Sequence, residues 1–97
     1  MKLRKEVVIR KMANKYIVVA VGRSHDISRD ILKLNEDAAS IIFLLQKEIT
    51  EEEIIKKSLK QYKVTKKEEI EQTTNSIKSF IEMLREKNLI QESKVKL

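Results

Sequence analysis

The spacing of apolar residues changes once along the chain, between Leu34 and Asn35, and this change limits the fold more than any other feature. Before it, β-branched runs are typical of strands. After it, apolar residues recur at helical spacing to about Lys87. The 97 residues include one glycine and no proline, so no linker divides the chain. The sequence predicts one α+β domain over residues 1–97, with strands over about 5–34, helices over 35–90 and a frayed tail over 91–97.

The first third predicts a three-stranded sheet. Residues 7–12 and 16–21 form a predicted hairpin, with a turn in which Asn14 tolerates positive φ. Residues 30–34 alternate as a third strand, so side chains of even-numbered and odd-numbered residues face opposite sides. In a three-stranded meander the third strand lies at an edge, and an unpaired edge is a liability unless it has a use.

The remaining residues predict three helices with recognisable starts. Asn35 is a predicted N-cap, and Thr50 with Glu53 and Thr65 with Glu68 are predicted capping boxes. The third helix should end near Asn88. The residues expected in the core are Leu34, Ile42, Leu45, Ile77, Ile81 and Leu84.

The sequence lacks the residue combinations that are typical of catalytic and metal sites. There is no cysteine, and His25 is the single histidine, so no thiolate site, histidine metal cluster or histidine-based triad is expected. Three consecutive acids at 51–53 fit a helix start better than a carboxylate site. One glycine cannot make a glycine-rich phosphate loop. The sequence therefore predicts no catalytic residue, no metal site and no cofactor.

The chain carries an uneven positive charge. Residues 1–34 hold nine Lys and Arg against three acids, while the whole chain has a net charge of +6. Such an excess attracts nucleic acid, acidic membranes or acidic peptides, although a solvated surface explains it equally well. No apolar run is long enough to span a bilayer and the start of the chain is not a signal peptide, so a cytoplasmic protein without membrane contact is expected.

A winged-helix nucleic-acid-binding protein is the main alternative, because three short helices accompany a hairpin. Two observations oppose it. The hairpin precedes the helices, whereas a wing follows the recognition helix, and the predicted last helix, residues 65–87, has five basic and five acidic residues. A helix without net positive charge is poorly suited to the phosphate-lined major groove, so nucleic acid is an unlikely partner. A small structural subunit that only stabilises another protein is a third alternative.

The order of several short motifs resembles the PqqD-like family over about residues 5–91. The motifs follow one another with matching spacing, and the strand-to-helix junction and the end of the last helix are the most specific. They are Val8-Ile9-Arg10, Tyr16-Ile17-Val18-Val19, Ile31-x-x-Leu34-Asn35-Glu36-x-Ala38, Ile41-Ile42-x-Leu44-Leu45, Thr50-x-Glu52-Glu53-Ile54-Ile55, Tyr62, Ile77-x-x-Phe80-Ile81-x-x-Leu84 and Asn88-Leu89-Ile90.

The resemblance implies a winged-helix-like fold, with a three-stranded antiparallel sheet followed by three helices. It also implies a non-enzymatic peptide chaperone. Such proteins bind the leader segments of ribosomally made precursor peptides by strand addition at the third strand, beside the third helix, and present them to a modifying enzyme, often a radical SAM enzyme. The residues expected to bind the peptide are Arg29, Asp30, Ile31, Leu32, Lys33, Lys66, Lys67, Thr73, Ile77 and Phe80.

Overall fold

The computed structural model describes residues 1–22, 27 and 30–92, and it contains the predicted sheet and the three predicted helices. The fold is α+β, as predicted. In chain order the elements are β1 (Lys2–Leu3), β2 (Val7–Met12), β3 (Lys15–Ala20), β4 (Leu32–Leu34), α1 (Glu36–Leu44), α2 (Glu51–Gln61), α3 (Lys67–Glu86) and β5 (Ile90–Gln91).

The three-stranded sheet is antiparallel in the order β2-β3-β4. Met12 pairs with Lys15, which leaves a two-residue turn. Positive φ falls on Ala13, at 54°, and not on Asn14, the residue whose side chain tolerates it better. The two-residue turns that join hairpin strands place positive φ at their first central position, whichever residue stands there.

The third strand is shorter than residues 30–34. Strand β4 covers three residues, because only these pair with β3 in register. Asp30 and Ile31 precede the strand and are exposed. Alternation within the strand is as predicted, with Leu34 buried, Leu32 half-buried and Lys33 exposed.

A second sheet, made of β1 and β5, was not predicted. Leu3 donates a backbone hydrogen bond to the carbonyl of Leu45 (2.8 Å), and Arg4 donates one to the carbonyl of Leu89 (3.0 Å). A strand of two residues is too short to show alternation in the sequence. Contacts with the rest of the fold, and not strand propensity, hold these two strands in place. The predicted frayed tail therefore starts too early, since Gln91 belongs to β5.

The last described residue, Glu92, is held by the end of α3. Its carboxylate accepts a hydrogen bond from the Nε of Arg85 at 2.6 Å. This bond raises the pKa of the Arg85 guanidinium against the opposing effect of desolvation. Residues 93–97, the rest of the predicted tail, lie outside the described residues.

Two of the three predicted helix starts are confirmed. The side chain of Asn35 accepts a hydrogen bond from the Ala38 amide (2.9 Å), and Thr50 forms a complete capping box with Glu53. The box predicted at Thr65 is absent, since Lys66 is the N-cap of α3 and makes no side-chain capping bond. At the other end, Asn88 has φ of 58° and ends α3 as predicted.

All six residues expected in the core are buried. They belong to one hydrophobic cluster that joins the sheet, the helices and both terminal strands. Ser58 of α2 is also buried. No helix among the described residues is long and apolar enough to cross a membrane. The single-domain boundary of 1–97 stays a prediction.

Candidate functional site

Strand β4 has an open edge. It lies last in the order β2-β3-β4, so one side pairs with β3 and no described strand pairs with the other. A free edge offers a row of backbone donors and acceptors to another extended chain. Whether β4 can use that row depends on which of its amides point outward.

The register of the sheet answers this. The Val21 amide donates to the carbonyl of Glu6 at 2.7 Å, so odd-numbered residues of β3 direct their backbone groups to β2. Even-numbered residues of β3 consequently direct theirs to β4, because backbone direction alternates along an antiparallel strand. Tyr16 and Val18 are paired with Leu34 and Leu32 respectively. The N–H and C=O groups of Lys33 therefore point away from β3, to the open edge.

The end of β4 leads into an apolar pocket between the three helices. Asn35 is the first residue after the strand, and it lines this pocket, which has a volume of about 590 Å³. Three of the residues expected to bind peptide line it too: Ile77 is buried, and Thr73 and Phe80 are half-buried. The remaining lining residues are Asp37, Ala38, Ile41, Ser58, Tyr62, Val64, Gln72 and Ser76.

Several of these lining residues were missed by the sequence reasoning. Ala38 and Ile41 lie three apart on α1, and this spacing signals a buried face without saying that a gap remains beside it. Tyr62, one of the motif residues of the resemblance, follows α2 and is 43% exposed. Its hydroxyl lies 3.2 Å from the hydroxyl of Ser40, which holds the ring at the pocket.

An ion pair connects the other end of β4 to the end of α3. The ammonium of Lys87 lies 3.0 Å from the carboxylate of Asp30, just before the strand. Because Asn35 lines the pocket with residues in the middle of α3, β4 and α3 run in opposite directions. The open edge of β4 thus begins near the ion pair and ends at the pocket.

None of the remaining candidates that the structure describes lines the pocket. Ile31 is 63% exposed, and its side chain belongs to the same side of the sheet as Lys33. Lys66 and Lys67 are exposed at the start of α3, and neither lines the pocket. Arg29 lies outside the described residues, as does His25. Within residues 1–22, 27 and 30–92, no three His, Cys, Asp or Glu side chains form a group able to hold a metal.

Comparisons with known proteins identify the family and the fold of this chain. The family model described as coenzyme PQQ synthesis protein D (PqqD) matches residues 15–90, so the chain belongs to the PqqD family, which confirms the resemblance. Its fold is similar to that of a chain in the structure of TbiB1 in complex with the TbiA(beta) leader peptide. The TM-score is 0.72 and the identity 18%, over 98% of this chain and 100% of that chain. At such identity the likeness shows a shared fold. No curated protein matches the sequence.

Proposed function

We propose that this protein binds the leader segment of a ribosomally synthesised precursor peptide and presents it to a modifying enzyme. The open edge of β4, with an apolar pocket at its end, is the observation that carries the proposal. Membership of the PqqD family supports it, as does the fold shared with a protein solved with a leader peptide. The protein itself contributes recognition, and the partner enzyme contributes the chemistry and any cofactor.

Backbone hydrogen bonds supply the first part of the binding energy. An extended peptide segment lies beside β4 as a fourth strand, donating to and accepting from the outward-facing groups of Lys33. This mode suits a leader of variable sequence, because it reads the backbone and leaves selectivity to side-chain pockets. The side chain of Leu32 is half-buried against the hydrophobic cluster and supports β4 from the core face of the sheet.

An apolar side chain of the peptide supplies the second part. It enters the pocket beside Ile77 and Phe80, where full burial of a Leu-sized or Phe-sized side chain contributes about 1.5–3 kcal/mol. The pocket also holds hydroxyl groups from Thr73 and Ser76. These polar groups can hydrogen-bond the peptide backbone next to the anchor.

Acidic residues flanking the anchor supply a smaller part. Lys33 lies on the edge, and Lys66 and Lys67 lie at the start of α3, all exposed. Exposed ion pairs contribute about 0–1 kcal/mol each, so neutralising the acids should weaken binding only mildly. Raising the salt concentration should have a similarly small effect, chiefly on the association rate.

Amide chemical shifts provide the direct test. Synthetic peptides covering the N-terminal segments of small proteins encoded beside this gene are titrated into ¹⁵N-labelled protein. Shifts should concentrate at Ile31–Asn35 and along residues 73–80 of α3. Shifts confined to the β2–β3 hairpin would exclude strand addition at β4.

A pair of proline substitutions isolates the backbone contribution. Lys33→Pro removes an amide that faces the open edge, so the protein should stay folded by circular dichroism and lose peptide binding. Leu32→Pro removes an amide that β3 uses, and it should destabilise the fold instead. A folded Lys33→Pro protein that binds the peptide as tightly as the wild type contradicts the proposal.

Duplex DNA serves as the competing ligand. Binding to DNA weakens steeply with salt because counterions are released at each phosphate contact. Tight and strongly salt-dependent binding to DNA, without binding to any of the peptides, would replace the proposal with a nucleic-acid-binding function.

A further inference from the structure

The three-stranded sheet has an outer face, defined as the side opposite α1 and the core. Alternation assigns the even-numbered residues of β2 and the odd-numbered residues of β3 to it. Ile31 and Lys33 continue this face across the third strand. Its apolar members are Val8, Met12, Ile17, Val19, Val21 and Ile31.

The apolar side chains of this face stand apart from the hydrophobic core cluster of the described residues. Val7, Ile9 and Ala20 pack against the core cluster, whereas Val8, Ile17 and Val19, their neighbours on the opposite side, do not. Three of the five exposed large apolar side chains in the described part of the chain lie here: Met12 (59%), Val21 (50%) and Ile31 (63%). A contiguous apolar surface of this kind is typical of a docking site.

The charges on the outer face identify the kind of partner. Arg10, Lys15 and Lys33 stand on it, and Glu6, which directly precedes β2 on the same side, forms an ion pair with Arg4 at 2.9 Å. A second copy of this chain would bring like charges together, which opposes association. A surface with an apolar centre bordered by Asp and Glu is complementary to this face.

We infer that the outer face docks the enzyme that receives the peptide, through an apolar surface of that enzyme bordered by carboxylates. The inference rests on the proposed function and adds a second binding surface to it. The two surfaces meet at β4, where the backbone groups of Lys33 face the peptide edge and the side chains of Ile31 and Lys33 stand on the outer face.

Strand addition makes the two surfaces continuous. A peptide paired with β4 becomes the fourth strand of the sheet, and every second peptide side chain then lies on the outer face beyond Ile31 and Lys33. An enzyme docked there contacts the protein and the peptide together. Bound peptide therefore tightens the binding of the enzyme, and the enzyme tightens the binding of the peptide by the same factor.

Photo-crosslinking in the native cell identifies the docked protein. Benzoylphenylalanine replaces Val21 on the outer face or, as a control, Phe43 on α1, an apolar residue of similar exposure (44%). The Val21 position should capture an enzyme that the Phe43 position does not. A Val21 crosslink only to a second copy of the chain, or no protein specific to this position, overturns the inference.

Affinity measurements with the purified captured enzyme provide the quantitative test. Met12→Glu and Val21→Glu place acids at exposed positions and should weaken enzyme binding about tenfold or more, whereas Phe43→Glu should change it less than about twofold. All three variants should keep wild-type peptide affinity. Equal enzyme affinity for all three variants contradicts docking at the outer face.

Adding a saturating leader peptide should tighten enzyme binding to the wild-type protein. Unchanged enzyme affinity contradicts the continuous surface and overturns that part of the inference. Failure of the wild type to bind any leader peptide would instead reject the proposed function, and the crosslinking result would still report on the outer face.

Discussion

The two faces of the β2-β3-β4 sheet have similar side chains and opposite surroundings. On the core face Val18 is 1% exposed and packs with Leu34 in the hydrophobic cluster beneath the helices. On the outer face the neighbouring Val19 is only half-buried and stands outside that cluster. Strand alternation separates these two residues, but it does not say which face the helices cover. The difference shows that apolar character alone does not determine what a residue contributes to stability.

The largest effect should separate a core isoleucine from an outer-face isoleucine. Ile81 is 0% exposed, so Ile81→Ala should lower the free energy of unfolding by about 2–5 kcal/mol. Ile17→Ala makes the same chemical change on the outer face and should lower it by less than about 1 kcal/mol. Urea denaturation of both variants measures the difference. Comparable losses would mean that the outer face is packed against another part of the chain.

A narrower comparison uses two consecutive valines of β3. Val18→Ala should lower the free energy of unfolding by about 1–2 kcal/mol, since two buried methyl groups are lost. Val19→Ala, one residue along the same strand, should remain within about 0.5 kcal/mol of wild type. The change in strand propensity is the same Val-to-Ala change on the same strand, so the difference between the two effects reports on packing.

The turn between β2 and β3 lies on neither the core face nor the outer face, so a substitution there tests backbone conformation without changing the packing of either face. Ala13 holds φ at 54°, so Ala13→Gly should stabilise the protein by about 1 kcal/mol by relieving this conformation. Asn14→Gly is the matched control, because Asn14 does not have positive φ. Slower amide exchange across β2 and β3 in the first variant alone would localise the gain to the hairpin.

Oxidation of an exposed methionine on the outer face should have the smallest effect on stability. Met12 on the outer face is 59% exposed, whereas Met1 is 5% exposed and Met83 is half-buried. Under mild peroxide, mass spectrometry should find Met12 oxidised first, with little change in the unfolding midpoint. Preferential oxidation of Met83 would indicate that the outer face is shielded in the free protein.

The sequence by itself determined the type and order of the main elements. Asn35 and Thr50 predicted two helix starts correctly because an N-cap is local, requiring only a side-chain oxygen within reach of nearby amides. The burial of Ile42, Ile77 and Ile81 followed from helical spacing, and the position of the third strand at an edge followed from its place in a meander. The capping box predicted at Thr65 is absent because α3 begins one residue later than the sequence spacing suggests, with Lys66 as its N-cap.

Only the tertiary structure decided the features on which binding depends. The outward direction of the Lys33 amide follows from its pairing with β3, and the β1–β5 sheet follows from contacts between opposite ends of the chain. The pocket that brings Ala38, Tyr62 and Phe80 together requires three helices to meet around a space that they do not fill. These properties arise from contacts between residues distant in the chain. The spacing of apolar residues predicts which side chains are buried, but it does not predict which of them contact one another.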